Sequence, residues 1–200
     1  MARVPIVSGS KAGLRPTTGR LPWTLPAHES DVPVPDAVPV DGVVEYHEGI
    51  HVGYRSWLRL DRTPAAPFGH GLGWTSWEYD AVTTEVEPDG SVVLDVTVRN
   101  TGARDGREVV QVYVEPPDEG TAGGAADRPS RWLGGFAVVH AAAGAHAHVQ
   151  VRVDARAFRT WDSAQPGWVT PAGTYPIRVG RSSTDLRLTV DVALPRTAPA

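Results

Sequence analysis

The sequence predicts a mainly β fold, in which an extended and irregular N-terminal segment precedes a β-sandwich. Prolines crowd residues 1–66, and proline fixes φ and lacks an N–H donor, so neither a helix nor a central strand runs through that part. Beyond residue 79, valines alternate in short runs separated by turn signals, which is typical of a sandwich. We therefore expect an extended segment over 1–66, a sandwich over 67–195 and a tail over 196–200.

Length and composition limit the function classes. With 200 residues, of which 41% are hydrophobic, the chain can form one domain with a core and a smaller appendage. A net charge of −4, with both signs interspersed, gives no electrostatic footprint for nucleic acid or a membrane surface. The absence of cysteine excludes disulfides, thiolate chemistry and cysteine-ligated zinc. Neither a signal peptide nor a membrane span is expected, and the location stays open, with the cytoplasm slightly favoured.

Within the N-terminal part, residues 46–55 read YHEGIHVGYR and contain the H-E-x-x-H pattern of zinc proteases. The pattern consists of His47, Glu48 and His51. Its chemistry needs a helix, because only there do two histidines four residues apart face one metal. Gly49 and Gly53 weaken a helix by about 1 kcal/mol each, whereas Ile50 and Val52 alternate as in a strand. We therefore predict a strand-like run without a metal site.

A junction is expected at residues 67–79, which read PFGHGLGWTSWEY. Glycine at every second position permits φ > 0 or close backbone approach, and large apolar side chains surround the bend. The glycines are Gly69, Gly71 and Gly73. The apolar anchors are Phe68, Leu72, Trp74 and Trp77. The stretch predicts a tight connection between two layers.

The alternation after the junction predicts five short strands. The first has an apolar face opposite a mostly polar one, as in a half-buried strand. That apolar face consists of Val92, Leu94, Val96 and Val98. Later runs centre on residues 110–114, 149–153, 175–179 and 186–190. Burial of about three aliphatic side chains per strand, at about 1.5 to 3 kcal/mol each, would offset the ordering of a domain of this size. Residues 115–130 are expected to be a surface loop, with a substrate lid as the less favoured alternative.

Five stretches, taken in order, carry a family resemblance. Residues 18–26 (TGRLPWTLP) are similar to SGRLPVTFP, residues 46–55 match Y-x-E-G-I-x-V-G-Y-R, and residues 67–79 are similar to FPFGHGLSYT. Residues 100–114 (NTGARDGREVVQVYV) and 128–138 (RPSRWLGGFAV) match two motifs of a fibronectin type III-like domain. Together they resemble the C-terminal region of glycoside hydrolase family 3 enzymes, the β-glucosidases and their relatives. The resemblance implies an immunoglobulin or fibronectin type III-like sandwich, preceded by the remnant of an α/β sandwich domain.

The resemblance also implies that the catalytic carboxylates lie elsewhere. A retaining glycosidase needs a nucleophile and an acid/base, and in this family both lie upstream of the matched region. Ser30-Asp31-Val32 is similar to the family's Ser-Asp-Trp around the nucleophile, but it lacks the tryptophan. Glu45 and Glu48 would point to opposite faces of a strand, and a hydrogen-bonding role is favoured for Glu48. We therefore predict no catalytic, cofactor-binding or metal-binding residues, and no glycosidase activity of the chain alone, as in a truncated enzyme.

Tryptophans and histidines supply two further candidate sites. Five tryptophans could form a carbohydrate-stacking platform, although core packing is the favoured interpretation. They are Trp74, Trp77, Trp132, Trp161 and Trp168. The histidines His140, His146 and His148 are interpreted as solvated, with the last two on one face of a strand.

The N-terminal part is expected to lack the neighbours that the family's α/β domain would supply. Its large side chains should then be exposed, and large exposed apolar patches mark interaction sites. These side chains are Trp23, Tyr46, Ile50, Tyr54 and Trp57. We expect this part either to be poorly ordered or to be covered by another polypeptide, which would be a separately encoded catalytic portion or a second copy of this chain. The inferred function is the accessory C-terminal region of a β-glucosidase-type hydrolase, and the alternatives are a carbohydrate-binding or protein-interaction module and a zinc peptidase.

Overall fold

The computed structural model describes residues 19–33, 38–117 and 128–198, so most of the loop predicted at 115–130 lies outside the described residues. Nine strands occur among them. They are β1 (Trp77–Val86), β2 (Val92–Asn100), β3 (Gly106–Val114), β4 (Trp132–Ala141), β5 (His146–Val153), β6 (Thr160–Asp162), β7 (Gly167–Val169), β8 (Gly173–Gly180) and β9 (Leu186–Leu194). The described part also has one short helix, α1 (Tyr54–Arg59), and two 3₁₀ turns, Glu29–Asp31 and Ala155–Phe158. It contains no helix with the length and hydropathy of a membrane span.

The strands form two packed sheets and a separate ribbon. Three strands make one sheet in the order β1-β2-β5, and four make the other in the order β4-β3-β8-β9. Strands β6 and β7 pair only with each other, and every pairing is antiparallel. One apolar cluster fills the space between the two larger sheets. The mainly β, sandwich-like fold class is therefore confirmed.

The core follows the alternation that the sequence predicts for β2. Its four inward residues are at most 1% exposed, whereas the residues between them are less buried. The inward residues are Val92, Leu94, Val96 and Val98. Facing them, β8 contributes Tyr175, Ile177 and Val179, which are fully buried. Burial of each such side chain stabilises the fold by about 1.5 to 3 kcal/mol before entropy is counted.

Strand β3 is buried on both faces, which its alternating pattern does not indicate. Its core-facing valines are fully buried, and the residues of the opposite face are at most 7% exposed. The opposite face consists of Val109, Gln111 and Tyr113. We define the N-terminal segment as the described residues 19–33 and 38–76. This segment covers the outer face of β3, as the contacts given below show.

Strands β1 and β4 and the β6–β7 ribbon are not predicted by valine alternation. Strand β1 carries glutamate, aspartate and threonine among its apolar residues, and β6 and β7 are only three residues long. Strand β4 contains Gly134 and Gly135, which would lower a strand prediction. Here they permit close packing, since a Cβ on Gly134 would lie 3.0 Å from side-chain carbons of Val114 and Val153.

At the junction, the prediction is confirmed for Gly69 and Gly71 and wrong for two of the apolar anchors. Gly69 adopts φ +82°, and Gly71 lies so near the carbonyl of Gly19 that a Cβ would be 2.2 Å from that oxygen. Leu72 and Trp74, expected to be buried, are 82% and 67% exposed. The reason is that the chain follows the surface there and enters a sheet only where β1 begins.

Candidate functional site

A buried carboxylate fastens the N-terminal segment to the sandwich. The side chain of Glu108, on β3, is fully buried. Its Oε1 accepts a hydrogen bond from Nη2 of Arg20 in the segment, and its Oε2 accepts one from Nε of Arg181, 3.0 Å away, just after β8. Arg20 also donates from Nη1 to the carbonyl of Gly71 at 2.7 Å. One buried anion therefore joins two guanidinium groups from distant parts of the chain.

The surroundings of this ion-pair cluster reduce the basicity of Arg20. Burial, and then the positive charge of Arg181, lower the pKa of Arg20. Beside it, burial raises the pKa of Tyr79, which remains a protonated donor and reaches the carbonyl of Gly180 at 3.3 Å. The cluster is thus largely shielded from solvent. Removing one partner of a buried ion pair destabilises a protein by several kcal/mol.

Gln111 forms a second tie to the segment, through backbone groups. Its Nε2 donates to the carbonyl of Gly69 at 3.1 Å and to that of Arg181, while its Oε1 accepts from the hydroxyl of Tyr113 at 2.7 Å. Burial raises the pKa of Tyr113, so the phenol stays a donor. A Cβ on Gly69 would lie 2.0 Å from Oε1 of Gln111, which explains why glycine is needed there.

Aromatic contacts complete the docking of the segment onto the outer face of β3. The rings of Tyr54 and Phe68 stack with centroids 4.6 Å apart, and Tyr54 meets Tyr113 edge-on at 6.3 Å. The Tyr54 hydroxyl accepts from the backbone N–H of Leu133 on β4 at 2.7 Å. Tyr54 is therefore half-buried, and Trp57, on the same helix, is 6% exposed. Exposure was predicted for both residues, and for these two the prediction is wrong.

The remaining surface of the N-terminal segment is strongly apolar. Of the sixteen exposed large hydrophobic residues in the described part, eleven lie in this segment. They are Trp23, Leu25, Val38, Val40, Val43, Tyr46, Ile50, Val52, Leu60, Leu72 and Trp74. Exposure of Trp23, Tyr46 and Ile50 was predicted and is confirmed, at 59%, 78% and 44%. This apolar surface is the strongest functional feature of the segment.

Turns, rather than a strand or a helix, hold the first residues of the H-E-x-x-H pattern. Residues 47–50 form turns, and α1 begins only at Tyr54, so the predicted strand-like run is wrong. Gly49 and Gly53 cause this, because their positive φ values of 53° and 58° reverse an extended chain. The His47 side chain is exposed, whereas His51 is buried. No group of three metal-ligating side chains occurs within 19–33, 38–117 and 128–198.

The three candidate carboxylates have different surroundings. Asp31 accepts a hydrogen bond from the backbone N–H of His28 at 2.9 Å and thereby caps a 3₁₀ turn. Glu45 is exposed and lies 3.3 Å from Nε2 of His47. The Oε2 atom of Glu48 is buried without a hydrogen-bond partner in the described residues, so this atom does not play the predicted hydrogen-bonding role.

The five tryptophans divide into two groups. Trp77 and Trp132 are 5% and 8% exposed and belong to the core, as predicted. Trp74, Trp161 and Trp168 are 67%, 49% and 51% exposed, so core packing is wrong for these three. Trp74 lies on the surface-following part of the segment, and the other two lie on the ribbon outside both sheets.

The three histidines are exposed, as predicted. His146 and His148 share the outer face of β5, where they lie near side chains of neighbouring strands. Nε2 of His146 is 3.4 Å from Asp80, and Nδ1 of His148 is 3.1 Å from Thr97. His140 lies on β4, in the other sheet. The three therefore form no common site.

Comparison with known proteins shows which family shares these features. The family of fibronectin type III-like domains matches residues 108–183. Exo-α-(1→6)-L-arabinopyranosidase of Bifidobacterium breve is 36% identical over 178 residues, covering 88% of this chain and 23% of that protein. The structure of DesR, a β-glucosidase from Streptomyces venezuelae in complex with D-glucose, matches with 39% identity and a TM-score of 0.81. The match covers 88% of this chain and 23% of the DesR chain. The GH3 β-glucosidase of Bifidobacterium adolescentis matches with 35% identity and a TM-score of 0.79, over 89% of this chain and 26% of that one.

This chain corresponds to the C-terminal part of a glycoside hydrolase family 3 enzyme. The resemblance drawn from the five sequence stretches is thereby confirmed. The family 3 region includes the fibronectin type III-like domain and also the N-terminal segment, since the matches cover nearly nine-tenths of the chain. The chain spans about a quarter of the length of the relatives it matches.

The two sandwich residues that tie the segment through polar contacts were not singled out from the sequence. Glu108 and Gln111 interrupt a run of valines in EVVQVYV. A charged or amide side chain in a buried strand needs partners, which is the signal that could have identified both. The identity of those partners, Arg20 and Gly69, depends on the fold and is not readable from the pattern.

Proposed function

We propose that this chain acts as the accessory C-terminal region of a β-glucosidase-type glycoside hydrolase and carries neither the nucleophile nor the acid/base. The observation that supports this role most is the apolar surface of the N-terminal segment. Eleven of the sixteen exposed large hydrophobic residues in the described part lie there, and such a concentration of exposed apolar side chains is typical of an interaction surface.

The way in which the segment is held supports a docking role. It is tied at Arg20 by the buried carboxylate of Glu108, at Gly69 by Gln111, and at Tyr54 by stacking on Phe68. These ties bury part of the segment against the sandwich, while the eleven large hydrophobic residues remain exposed to solvent. The sandwich would thus present a preformed surface, which lowers the entropic cost of association.

The partner we propose for this surface is the catalytic portion of such an enzyme. The relatives are about four times as long as the stretch they share with this chain, so most of each relative could cover such a surface. In this interpretation the segment continues the α/β sandwich domain, and the fibronectin type III-like domain holds it in place. A second copy of the chain is the alternative occupant.

A chimera tests this proposal. The C-terminal region of the Bifidobacterium adolescentis β-glucosidase would be replaced by residues 18–200 of this chain. We expect the chimera to be soluble and to hydrolyse 4-nitrophenyl β-D-glucopyranoside, whereas the host lacking that region and the isolated 200-residue chain would not. Ile50→Arg on the apolar surface should lower the soluble yield and activity of the chimera. The matched control Val86→Arg, at an equally exposed position on β1, should leave both unchanged.

Two results would overturn the proposal. One is turnover of the glucoside by the isolated chain, retained after purification from contaminating activity. The other is a chimera that is no more soluble or active than the truncated host.

A further inference from the structure

The ribbon formed by β6 and β7 projects two tryptophans outside the core. Trp161 and Trp168 are directly opposite each other on the two strands, and each is about half exposed. Their ring centroids are 5.6 Å apart and their planes meet at 77°. The pair therefore forms an angled aromatic corner, with about half of each side chain open to solvent.

Side-chain contacts stabilise the ribbon beyond the pairing of its two short strands. Asp162 accepts hydrogen bonds from the backbone N–H groups of Ala164 (2.9 Å) and Gln165 (3.2 Å), which lower its pKa and fix the turn. Arg196 reaches the same carboxylate at 3.1 Å. Isolated two-stranded hairpins are marginal in water, so these contacts position the aromatic corner as well as stabilise the ribbon.

A second set of ties fixes the base of the ribbon. The side chain of Val169 is 3% exposed and anchors β7. The backbone N–H of Thr170 donates to Oγ1 of Thr197 at 2.8 Å, and the N–H of Thr197 returns a hydrogen bond to the carbonyl of Thr170 at 3.1 Å. Both ends of the ribbon are thus restrained, and the tryptophans are presented on a rigid support.

A role in stabilising the ribbon explains the contact between the two rings but not their exposure to solvent. A cross-strand aromatic pair contributes about 0.5 to 1.5 kcal/mol through that contact, and it needs no exposed indole faces. The exposed area of two half-buried tryptophans is roughly 250 Å². A stable protein–protein interface needs about 800 Å² per partner, so the corner suits a small ligand better.

We propose that this corner binds a pyranose ring of an oligosaccharide. Pyranoses with equatorial hydroxyl groups present flat C–H faces that pack on indole, while their hydroxyl groups need polar neighbours at the edge. The exposed side chains of Ser163 and Gln165, in the turn between the two strands, supply such neighbours, as do the indole N–H donors. The two inclined rings would contact one sugar face and an adjoining edge.

The test is an NMR titration of the 200-residue chain with cellopentaose, whose glucose rings carry equatorial hydroxyl groups. We expect the indole N–H resonances of Trp161 and Trp168 to shift saturably. Trp161→Ala and Trp168→Ala should each weaken binding about tenfold, a loss of about 1.4 kcal/mol. Trp74→Ala is the matched control, because Trp74 is more exposed but lies on the N-terminal segment, and it should leave the dissociation constant unchanged.

Each outcome decides the proposal. A folded chain whose Trp161 and Trp168 resonances do not move at the solubility limit of the sugar would overturn it. So would binding that survives in a folded Trp161→Ala, Trp168→Ala double variant. Should the single variants unfold the ribbon, as shown by loss of the β6–β7 cross-strand signals, Trp161→Phe and Gln165→Ala would be titrated instead, and unchanged affinity in both would overturn it. Because the isolated chain is used, failure here leaves the accessory role standing.

Discussion

The N-terminal segment and the sandwich contain similar apolar side chains but use them in opposite ways. In the sandwich, aliphatic residues from two sheets bury one another, and the core cluster consists almost entirely of strand residues. In the segment, the regular structure consists of one short helix, one 3₁₀ turn and two isolated bridges, and most large apolar residues are exposed. The segment is held by a buried ion pair, a glutamine and stacked rings. The comparison shows that a chain can be fixed in place by a few buried ties without a core of its own.

The largest expected effect comes from removing the anion between the two regions. Glu108→Ala leaves Arg20 and Arg181 without their shared buried partner, so we expect a loss of about 3 to 5 kcal/mol in the free energy of unfolding. Urea denaturation measures this. Glu78→Ala is the control, because Glu78 pairs with Arg99 in solvent, and it should cost less than about 1 kcal/mol. Equal losses in the two variants would mean that the buried pair is not what holds the regions together.

A pair of isoleucines compares the two regions directly. Ile177 is fully buried on β8, whereas Ile50 is 44% exposed on the segment. Ile177→Ala should lower the free energy of unfolding by about 2 to 5 kcal/mol through lost burial and a cavity. Ile50→Ala should change it by less than about 0.5 kcal/mol in the isolated chain. A large cost at Ile50, measured by the same denaturation curves in a confirmed monomer, would contradict its assignment to an unoccupied surface.

The smallest expected effect distinguishes the stability cost of backbone strain from that of a close side-chain contact. Gly69 and Gly42 have nearly equal positive φ values of 82° and 78°, but only Gly69 lies against Gln111. Alanine at either position should cost about 1 to 2 kcal/mol in strain. Gly69→Ala should cost about 1 kcal/mol more, because the Gln111 hydrogen bonds must break. Limited proteolysis should then cut the segment of Gly69→Ala faster, and identical rates for the two variants would disprove the tie at Gln111.

Prediction from sequence succeeded where a pattern is local and failed where burial depends on distant chain. The inward face of β2 could be read from alternation, because each residue's environment there follows from the sheet alone. The outer face of β3 could not, since Tyr113 is covered by Tyr54 from a different part of the sequence. Trp168 was misassigned to the core for a related reason. A large aromatic residue is usually buried, and only the fold reveals that its three-residue strand lies outside both sheets.

The spacing of the ion pair has a consequence for synthesis on the ribosome. Arg20 is translated before Arg181, which follows it by 161 residues. At roughly 5 to 20 residues per second, the apolar segment waits roughly 10 to 30 s before the last member of its anchor is translated. During the first part of that interval Tyr54 lacks the Tyr113 ring and the Leu133 N–H that it contacts in the folded chain. We therefore expect the growing chain to bind a chaperone that recognises extended apolar peptide until the segment docks on the sandwich.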